Sequence, residues 1–388
     1  MSEWRIMTLG EICDEVDGLI QTGPFGSQLH ESDYSEDGTP VIMPKDLVEG
    51  KITTDKIARV SYDHVERLSR HKLVKGDIVY GRRGDIGRQA LIREEENGWL
   101  CGTGCLRISL GDSIIDPLFL HYYLQQKSVI KWIANQAVGA TLPNLNTRIL
   151  RDVSVCMPDF QEQKRIAGIL SAYDDLIENC QRRIKILETM ARSIYREWFV
   201  KFRFPGHENV PLVPSPLGNI PQGWEVKRLG EVLELSYGKA LKKENRCEGV
   251  VPVYGSSGIV GYHDTCLVEG PGIIVGRKGN VGSVFWSDDD FFVIDTAYFI
   301  TSALPLRFFY YLLPTLNFIN SDAAVPGLSR NQAYTLEILI PSTVLLYKFC
   351  EFVDTFEHQV STLQSQIQNL RSTRNLLLPH LLSGQTEI

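Results

Sequence analysis

An internal repeat constrains the fold of this 388-residue chain more than any other feature of its sequence. Three landmarks occur twice and in the same order: residues 4–12 and 224–232, residues 81–87 and 276–282, and Pro158 and Pro341. The offset between the copies falls from 220 to 195 to 183 residues, so the second copy is shorter. Self-similarity of this kind predicts that the chain folds into two related units.

An apolar seam that advances alternately by four and three residues follows each repeated proline. After Pro158 the seam consists of Ile166, Leu170, Tyr173, Ile177, Cys180, Ile184, Leu187, Ala191, Ile194 and Trp198. After Pro341 it consists of Phe349, Val353, Phe356, Val360, Leu363, Ile367, Leu370, Arg374, Leu377 and Leu381, and only Arg374 interrupts it. This alternation is typical of coiled-coil helices. Two matched helices in one chain can pair antiparallel with each other; the alternatives are an ordinary bundle or a coiled coil between chains.

The first of these helices has start signals of its own. Asp159 can cap it, and Glu162 stands three residues later, as in a capping box. The helix can continue to about Val200, and roughly 42 residues would give a rod of about 60 Å. The second helix is expected to end near Pro379 or Gly384.

The segment 204–223 is rich in proline, shows no periodicity and is predicted to be a linker. The predicted order is a globular unit at 1–158, a helix at 159–203, the linker at 204–223, a second globular unit at 224–341 and a second helix at 342–388. Both globular units combine short β-like runs with one helical, aromatic stretch. The predicted fold class is α+β: two mixed α/β units with mostly antiparallel sheet, separated by two long antiparallel coiled-coil helices in a pseudo-twofold repeat.

Composition places the chain among soluble globular proteins, with 43% hydrophobic and 22% charged residues. The net charge of -7 argues against a surface that binds phosphate throughout, yet the basic residues are unevenly distributed. Eight cations against two carboxylates give the segment 67–93 a net charge of +6, and the segment 239–246 has +3. Such patches are typical of nucleic-acid contacts, although a solvated surface is the alternative.

Both units carry a glycine-flanked basic loop, Gly-Arg-Arg-Gly at 81–84 and Gly-Arg-Lys-Gly at 276–279. Glycine permits tight turns, and basic or polar side chains can meet phosphates and base edges. The candidate DNA-binding residues are Gln21, Thr22, Ser27, Gln28, Lys45, Arg82, Arg83 and Arg88 in the first unit, and Lys239, Lys242, Lys243, Tyr254, Ser256, Ser257, Arg277, Lys278, Arg330 and Asn331 in the second. The alternative for each of them is an ordinary polar turn.

The sequence shows no pattern of residues that would carry catalysis or hold a metal. It contains no Walker loop, no glycine-rich loop for S-adenosylmethionine and no (Asn/Asp)-Pro-Pro-(Tyr/Phe) tetrapeptide. The eight cysteines lack zinc-site spacing, and Cys101 and Cys105 are expected to be free thiols in a reducing cytoplasm. Arg307 and Pro314 interrupt the most apolar stretch, 305–319, so no membrane span is expected.

With this combination of features the chain resembles the specificity subunit of Type I restriction-modification systems. The resemblance rests on the Trp-x-x-x-x-Leu-Gly-Glu starts at Trp4 and Trp224, the two Gly-Arg-x-Gly-x-x-Gly loops, the sequence 157–166 and the ending 381–384. The chain departs from strict repetition where Glu162-Gln163 becomes Leu345-Leu346, so symmetric partner contacts are not implied.

The resemblance implies that each globular unit is a target-recognition domain for one half of a bipartite site on double-stranded DNA. The two helices would set the half-site spacing and help to bind partners. Two modification subunits would carry S-adenosylmethionine and methylate adenine at N6, and restriction subunits would use ATP and Mg2+. This chain would be a non-catalytic, cytoplasmic subunit without a cofactor or metal of its own. The other hypotheses are a coiled-coil adaptor between proteins and a fragment of a fused restriction-methylation enzyme.

Overall fold

The computed structural model describes residues 4–25, 28–136, 144–318 and 327–382. The chain divides into two compact units, Met1–Cys180 with Ser365–Ile388, and Gln181–Gln364. The sequence predicted helices that are separate from the globular units. In the structure each long helix is instead shared, because its two parts belong to the cores of different units.

The described part of the first unit contains four sheets, two of which have only two strands, and several short helices. Its strands are β1 (Arg5–Thr8), β2 (Leu19–Thr22), β3 (Tyr34–Ser35), β4 (Thr39–Ile42), β5 (Leu47–Val48), β6 (Lys51–Ile52), β7 (Ala58–Val60), β8 (Ile78–Gly81), β9 (Gln89–Leu91), β10 (Leu100–Cys101), β11 (Cys105–Ser109) and β12 (Ser154–Met157). Its helices are α1 (Leu9–Glu15), α2 (Tyr62–Arg67), α3 (Pro117–Leu124), α4 (Lys127–Gln136), α5 (Thr147–Arg151) and the first part of α6 (Phe160–Tyr195). Its main sheets have the orders β2-β11-β8-β9 and β10-β4-β7-β3, β1 pairs with β12, and β5 and β6 form a small hairpin.

The second unit begins with the end of α6, which continues as a π-helical turn, Arg196–Val200. Its strands are β13 (Leu212–Ser215), β14 (Gly218–Pro221), β15 (Glu225–Arg228), β16 (Glu234–Tyr237), β17 (Val251–Gly255), β18 (Gly258–His263), β19 (Gly272–Gly276), β20 (Val284–Ser287), β21 (Phe292–Val293), β22 (Ala297–Thr301) and β23 (Glu337–Ile340). Its helices are α7 (Leu229–Val232), α8 (Leu306–Leu312), α9 (Arg330–Tyr334) and most of α10 (Thr343–Leu382).

The repeat seen in the sequence is also a repeat of strand order. The four-stranded sheet β16-β22-β19-β20 of the second unit corresponds to β2-β11-β8-β9 of the first. The antiparallel pair β15-β23 corresponds to β1-β12, and both pairs immediately precede a long helix. Among the described strands, each unit also contains one parallel pair, β4-β10 or β17-β21. The prediction of mixed, mostly antiparallel units in an α+β fold is confirmed, and the parallel pairs add a feature that the sequence did not predict.

The proline-rich segment 204–223 is folded onto the second unit. It contains the hairpin β13-β14, in which Leu212 lies opposite Pro221. Phe204 and Ile220 are buried in the core of this unit, and the Phe204 ring stacks on Trp224 with centroids 5.6 Å apart. These two buried side chains anchor a segment that the sequence predicted to be a linker.

The first unit contains one end of the helix pair. Asp159 Oδ1 accepts hydrogen bonds from the amides of Gln161 and Glu162, at 3.1 and 3.0 Å, so it caps α6 as predicted. Asp174 of α6 forms an ion pair with Arg374 of α10. Six residues later in α6, the Sγ atom of Cys180 lies 3.9 Å from the Oε1 atom of Gln366 in α10. Later residues of α6 therefore meet earlier residues of α10, which makes the two helices antiparallel.

The second unit contains the other end of the pair. Trp198 packs on Phe349 with ring centroids 5.9 Å apart, so the end of α6 again meets the start of α10. The predicted seam positions are all buried or half-buried in both helices, including Arg374. The prediction of an antiparallel pair within one chain is therefore confirmed, and α10 continues through Pro379 to Leu382, the last described residue.

The departure from strict repetition at the helix starts reflects two kinds of packing. Buried Gln163 accepts a hydrogen bond from the Asp116 amide at 2.8 Å and donates to the carbonyls of Ile114 and Pro158. In the second copy Leu346 is fully buried in the apolar core. A polar clamp in one unit is thus replaced by hydrophobic burial in the other.

Candidate nucleic-acid interface

The ends of β2, β4 and β8 meet at one edge of the first unit. The Gly23 amide donates to the Cys105 carbonyl at 2.9 Å, and the Arg82 amide donates to the Gly104 carbonyl at 2.8 Å. Gly104 has a φ of +85°, and a Cβ at this position would lie 3.3 Å from Pro44. The loop between β10 and β11 therefore holds together the three segments that carry the predicted DNA-binding residues of this unit.

The two arginines of the first basic loop have different surroundings. Arg82 is half-buried, and its Nε donates to Asn144 Oδ1 at 3.0 Å and to the Leu145 carbonyl at 3.1 Å. The Leu145 amide in turn donates to the Arg82 carbonyl at 2.9 Å. Arg83 is exposed. Arg82 thus anchors the loop, and Arg83 is the side chain that faces solvent.

The remaining predicted residues of the first unit fall into two groups. Exposed Lys45 and half-buried Thr22 lie at the loop edge. Three others have internal partners: Gln21 donates to the Arg70 carbonyl, Gln28 accepts from the Phe25 amide, and Arg88 forms an ion pair with Asp85 at 3.0 Å. Ser27 lies outside the described residues.

In the second unit the turn between β17 and β18 is bound to the basic loop. Asn280 Nδ2 donates to Ser257 Oγ at 3.2 Å, and Ser283 Oγ donates to the Ser256 carbonyl at 2.6 Å. The Ser256 amide donates to Thr296 Oγ1 at 3.4 Å. These bonds make the serine turn and the Gly-Arg-Lys-Gly loop one continuous surface.

Arg277 of this loop is held over aromatic rings. Its guanidinium carbon lies 4.9 Å from the centre of the Tyr237 ring and 5.7 Å from that of Tyr298. Arg277 Nη1 also donates to the Asp295 carbonyl at 3.2 Å. A second guanidinium, that of Arg330, lies 5.2 Å from the centre of the Tyr237 ring. Stacking on a ring leaves guanidinium edges available for hydrogen bonds, as base recognition requires.

The other predicted residues of the second unit are unequally exposed. Lys239, Lys242, Lys243, Ser257 and Asn331 are exposed, and Lys278 is half-buried. The sequence predicts DNA contacts for Tyr254 and Ser256 as well, whereas both side chains are buried. Tyr254 donates to the Trp286 carbonyl at 3.4 Å, so these two residues support the turn from inside instead of facing a ligand.

Asn280, Thr296 and Tyr298 are among the residues of this surface that were not predicted. Asn280 stands within the repeated loop, where Asp85 stands in the first copy, so alignment of the two copies could have found it. Thr296 and Tyr298 follow no motif in the sequence. Burial raises the pKa of Tyr298 to about 12, so its hydroxyl stays neutral and donates to the Leu328 carbonyl at 3.1 Å.

The cysteines are free thiols, and Cys101 and Cys105 are buried. Burial raises the pKa of the Cys101 thiol to about 12, which disfavours the thiolate that zinc requires. Among the described residues, one group of metal-ligand type comes together within 4.8 Å: Cys247, His263 and Asp264. The His263 Nδ1 atom accepts a hydrogen bond from the Cys247 amide at 3.0 Å, so this group is explained by a protein contact.

Comparison with known proteins shows what this pair of units is. Two segments, residues 1–189 and 221–369, match the family described as Type I restriction modification DNA specificity domain. The chain belongs to that family. Because each matched segment covers one of the sequence repeats, the globular parts of both units are DNA specificity domains.

Specificity subunits of this family are similar to the chain over most of its length. The Type I restriction enzyme MjaIX specificity subunit of Methanocaldococcus jannaschii is 28% identical, with 90% of this chain and 87% of that protein covered. The HindI specificity subunit of Haemophilus influenzae is 22% identical over 99% and 100%. The crystal structure of the S subunit from M. genitalium shares the fold, with a TM-score of 0.61, 20% identity and coverage of 100% and 97%. Among the described residues, no helix is both long enough and apolar enough to cross a bilayer.

Proposed function

We propose that this chain is the non-catalytic, sequence-reading subunit of a Type I restriction-modification complex, and that each unit reads one half of a bipartite target on double-stranded DNA. The observation that carries the proposal is an arrangement of loops that occurs in both units. In both units of a DNA specificity protein, a glycine-flanked basic loop is hydrogen-bonded to the loop that follows a parallel strand, by Arg82 to Gly104 or by Arg277 to Thr296.

The side chains at the two edges suit DNA recognition. Exposed Lys45, Arg83 and Lys239 provide charge for the phosphate backbone. Arg277, held by stacking and by the Asp295 carbonyl, suits guanine, which presents two acceptors to a guanidinium in the major groove. Sequence reading is therefore assigned to the loops and phosphate binding to the exposed cations around them.

The paired helices are proposed to act as the spacer and as the platform for partners. Half-sites read from the same side of B-DNA stand about 34–36 Å apart or at a multiple of that distance, and a helical spacer holds such a distance better than a flexible chain. Two modification subunits would bring S-adenosylmethionine and methylate adenine at N6. Restriction subunits would bring ATP and Mg2+, and the complex would work in the cytoplasm.

The decisive experiment compares the purified chain with its complex. The chain alone should show neither methyltransferase nor nuclease activity, and with its modification subunit it should direct methylation to one split sequence, found by methylation-aware sequencing. Binding by the complex should weaken steeply as salt rises. Methylation by the chain alone would contradict a non-catalytic role. Assembly without sequence-selective DNA binding would favour the coiled-coil adaptor.

The spacer role has a separate test. Inserting one heptad into each of α6 and α10 adds about 10 Å of helix. The complex should then accept a longer gap between the two half-sites, with the bases of each half unchanged. If the accepted gap stays the same, the helices do not set it.

A further inference from the structure

The strand β18 presents apolar side chains to solvent beside the basic loop of the second unit. Ile259, Val260 and Tyr262 expose 51%, 40% and 55% of their surfaces. β18 is one of the two outer strands of the sheet β18-β17-β21. In the first unit the corresponding strand β7 is covered by β3, so the exposed strand distinguishes the two units.

The ribbon formed by β17 and β18 ends in a rigid turn. Gly255 pairs with Gly258 across a two-residue turn, and Gly258 has a φ of +94°. Ser257 of the turn accepts the hydrogen bond from Asn280 of the basic loop. The tip of the ribbon is therefore fixed next to the loop that carries Arg277.

A β-bulge directs the side chains that follow this turn. Tyr254 lies opposite Ile259 and Val253 lies opposite Gly261, so Val260 has no partner in the register. Bulges bend a strand and re-aim its side chains, and they are frequent next to functional sites. Here the bulge accounts for two consecutive exposed apolar residues, Ile259 and Val260.

The charge around the ribbon indicates what covers it. A bare apolar strand could pair with a peptide strand from another protein. The segment before β17, however, carries exposed Lys239, Lys242 and Lys243 against exposed Glu244 and Glu248, and Arg246 Nη1 donates to the Val260 carbonyl at 2.6 Å, so the segment is net positive. A surface with this charge favours a polyanion over a protein strand, and a duplex is the polyanion that the proposed function supplies.

We propose that Ile259 is a specificity-determining residue, and that it contacts the 5-methyl group of a thymine in the half-site of the second unit. This inference rests on the proposed function. The major groove admits a two-stranded ribbon, and the thymine methyl is the apolar group displayed there. The ribbon would enter the groove by its tip, with Ile259 against the methyl group and the basic loop beside it.

Replacing thymine by deoxyuridine tests the contact, because it removes the methyl group and nothing else. The full chain, assembled with its modification subunits, is titrated with duplexes in which each thymine of that half-site is replaced in turn. One replacement should weaken binding about fourfold, the effect expected for one methyl group that is no longer buried. With Ile259→Ala the same replacement should have no effect, because the two changes remove one contact.

Val250→Ala is the matched control, since Val250 is 88% exposed and precedes the ribbon. It should bind as tightly as the wild type and keep the fourfold effect. Misfolding is excluded if the wild type, Ile259→Ala and Val250→Ala melt at the same temperature and all assemble with the modification subunits.

The inference is overturned if no thymine is sensitive, if Ile259→Ala keeps the effect, or if the half-site contains G·C pairs alone. Selective, salt-dependent binding in any of these cases leaves the proposed function standing. If the wild-type complex lacks sequence selectivity, the proposed function itself fails.

Discussion

The carboxylate of Asp174 joins three helices of the first unit, and its removal gives the sharpest test of how the helix pair holds a recognition domain. It accepts a hydrogen bond from the Tyr122 hydroxyl of α3 at 2.6 Å and forms an ion pair with Arg374 of α10. The side chains of Arg374 and Asp174 are only 21% and 15% exposed. Asp174→Ala would leave a half-buried guanidinium without its partner and a buried hydroxyl without an acceptor. We expect a loss of about 3–5 kcal/mol in the stability of this unit.

Hydrogen exchange followed by mass spectrometry measures this loss locally, which matters because a two-unit chain does not give one two-state transition. At about 1.4 kcal/mol per tenfold change, protection of the α3 amides should fall about a hundredfold or more in Asp174→Ala. Asp174→Asn keeps an acceptor for Tyr122 and should lose less. Asp175→Ala, at an exposed neighbouring position on α6, is the control and should leave protection unchanged.

The second unit offers an internal comparison. There Tyr311 of α8 donates to Glu357 of α10, and Arg307 lies 3.9 Å from the same carboxylate. Glu357→Ala should therefore lower protection in α8 and leave α3 as it is. If the α3 amides are as well protected from exchange in Asp174→Ala as in the Asp175→Ala control, the Asp174 carboxylate does not hold the domain. The reasoning from buried ion pairs is then refuted.

Three further measurements test other parts of the structure. Arg277→Ala should weaken binding of the cognate site by about 1–3 kcal/mol, and Arg277→Lys should not restore it, because lysine lacks the planar fork; an unchanged affinity removes this loop from the interface. Burial lowers the pKa of His121 to about 4, so the unfolded chain takes up the proton first as pH falls below about 6.5; hydrogen exchange of the α3 amides, corrected for the intrinsic exchange rate at each pH, should show that the wild type loses about 3 kcal/mol more than His121→Gln between pH 6.5 and 4. A thiol reagent should modify exposed Cys247 and Cys266 at once and buried Cys101 only after unfolding, which timed mass spectrometry would show.

Periodicity was sufficient to predict the helix pair. The alternating seam gives each helix one apolar side, and this depends on spacing alone. Even Arg374, which interrupts the seam, is accommodated by Asp174 at a half-buried position. The sequence could not show this, because Asp174 stands at a polar position between seam residues and looks like any surface carboxylate.

Periodicity could not predict the fold of the proline-rich segment or the parallel strand pairs. A hairpin such as β13-β14 is held by two buried side chains, Phe204 and Ile220, which show no period. Each parallel pair is only two residues long. In the first unit Val41 lies opposite Leu100 and Ile42 lies opposite Cys101. Contacts this short depend on the surrounding core and not on a local pattern.

The basic loops show why repeat symmetry locates a site without defining its chemistry. Arg82 and Arg277 occupy the same place in the two copies, yet one binds Asn144 and the other stacks on Tyr237. The residues that differ explain this. Thr22 ends β2 where Tyr237 ends β16, so the first arginine has no ring to stack on at that position.

On the other side of each loop, the bridged residue supplies a side-chain partner in the first unit and does not in the second. The backbone bridge from Arg83 reaches Asn144, whereas the equivalent bridge from Lys278 reaches Gly327, which has no side-chain carbonyl to offer. Each loop arginine thus takes the partner that its own unit supplies and the other unit lacks. Two domains with one fold therefore hold their loop guanidinium groups by different contacts, a hydrogen bond to Asn144 in one and a stack on Tyr237 in the other.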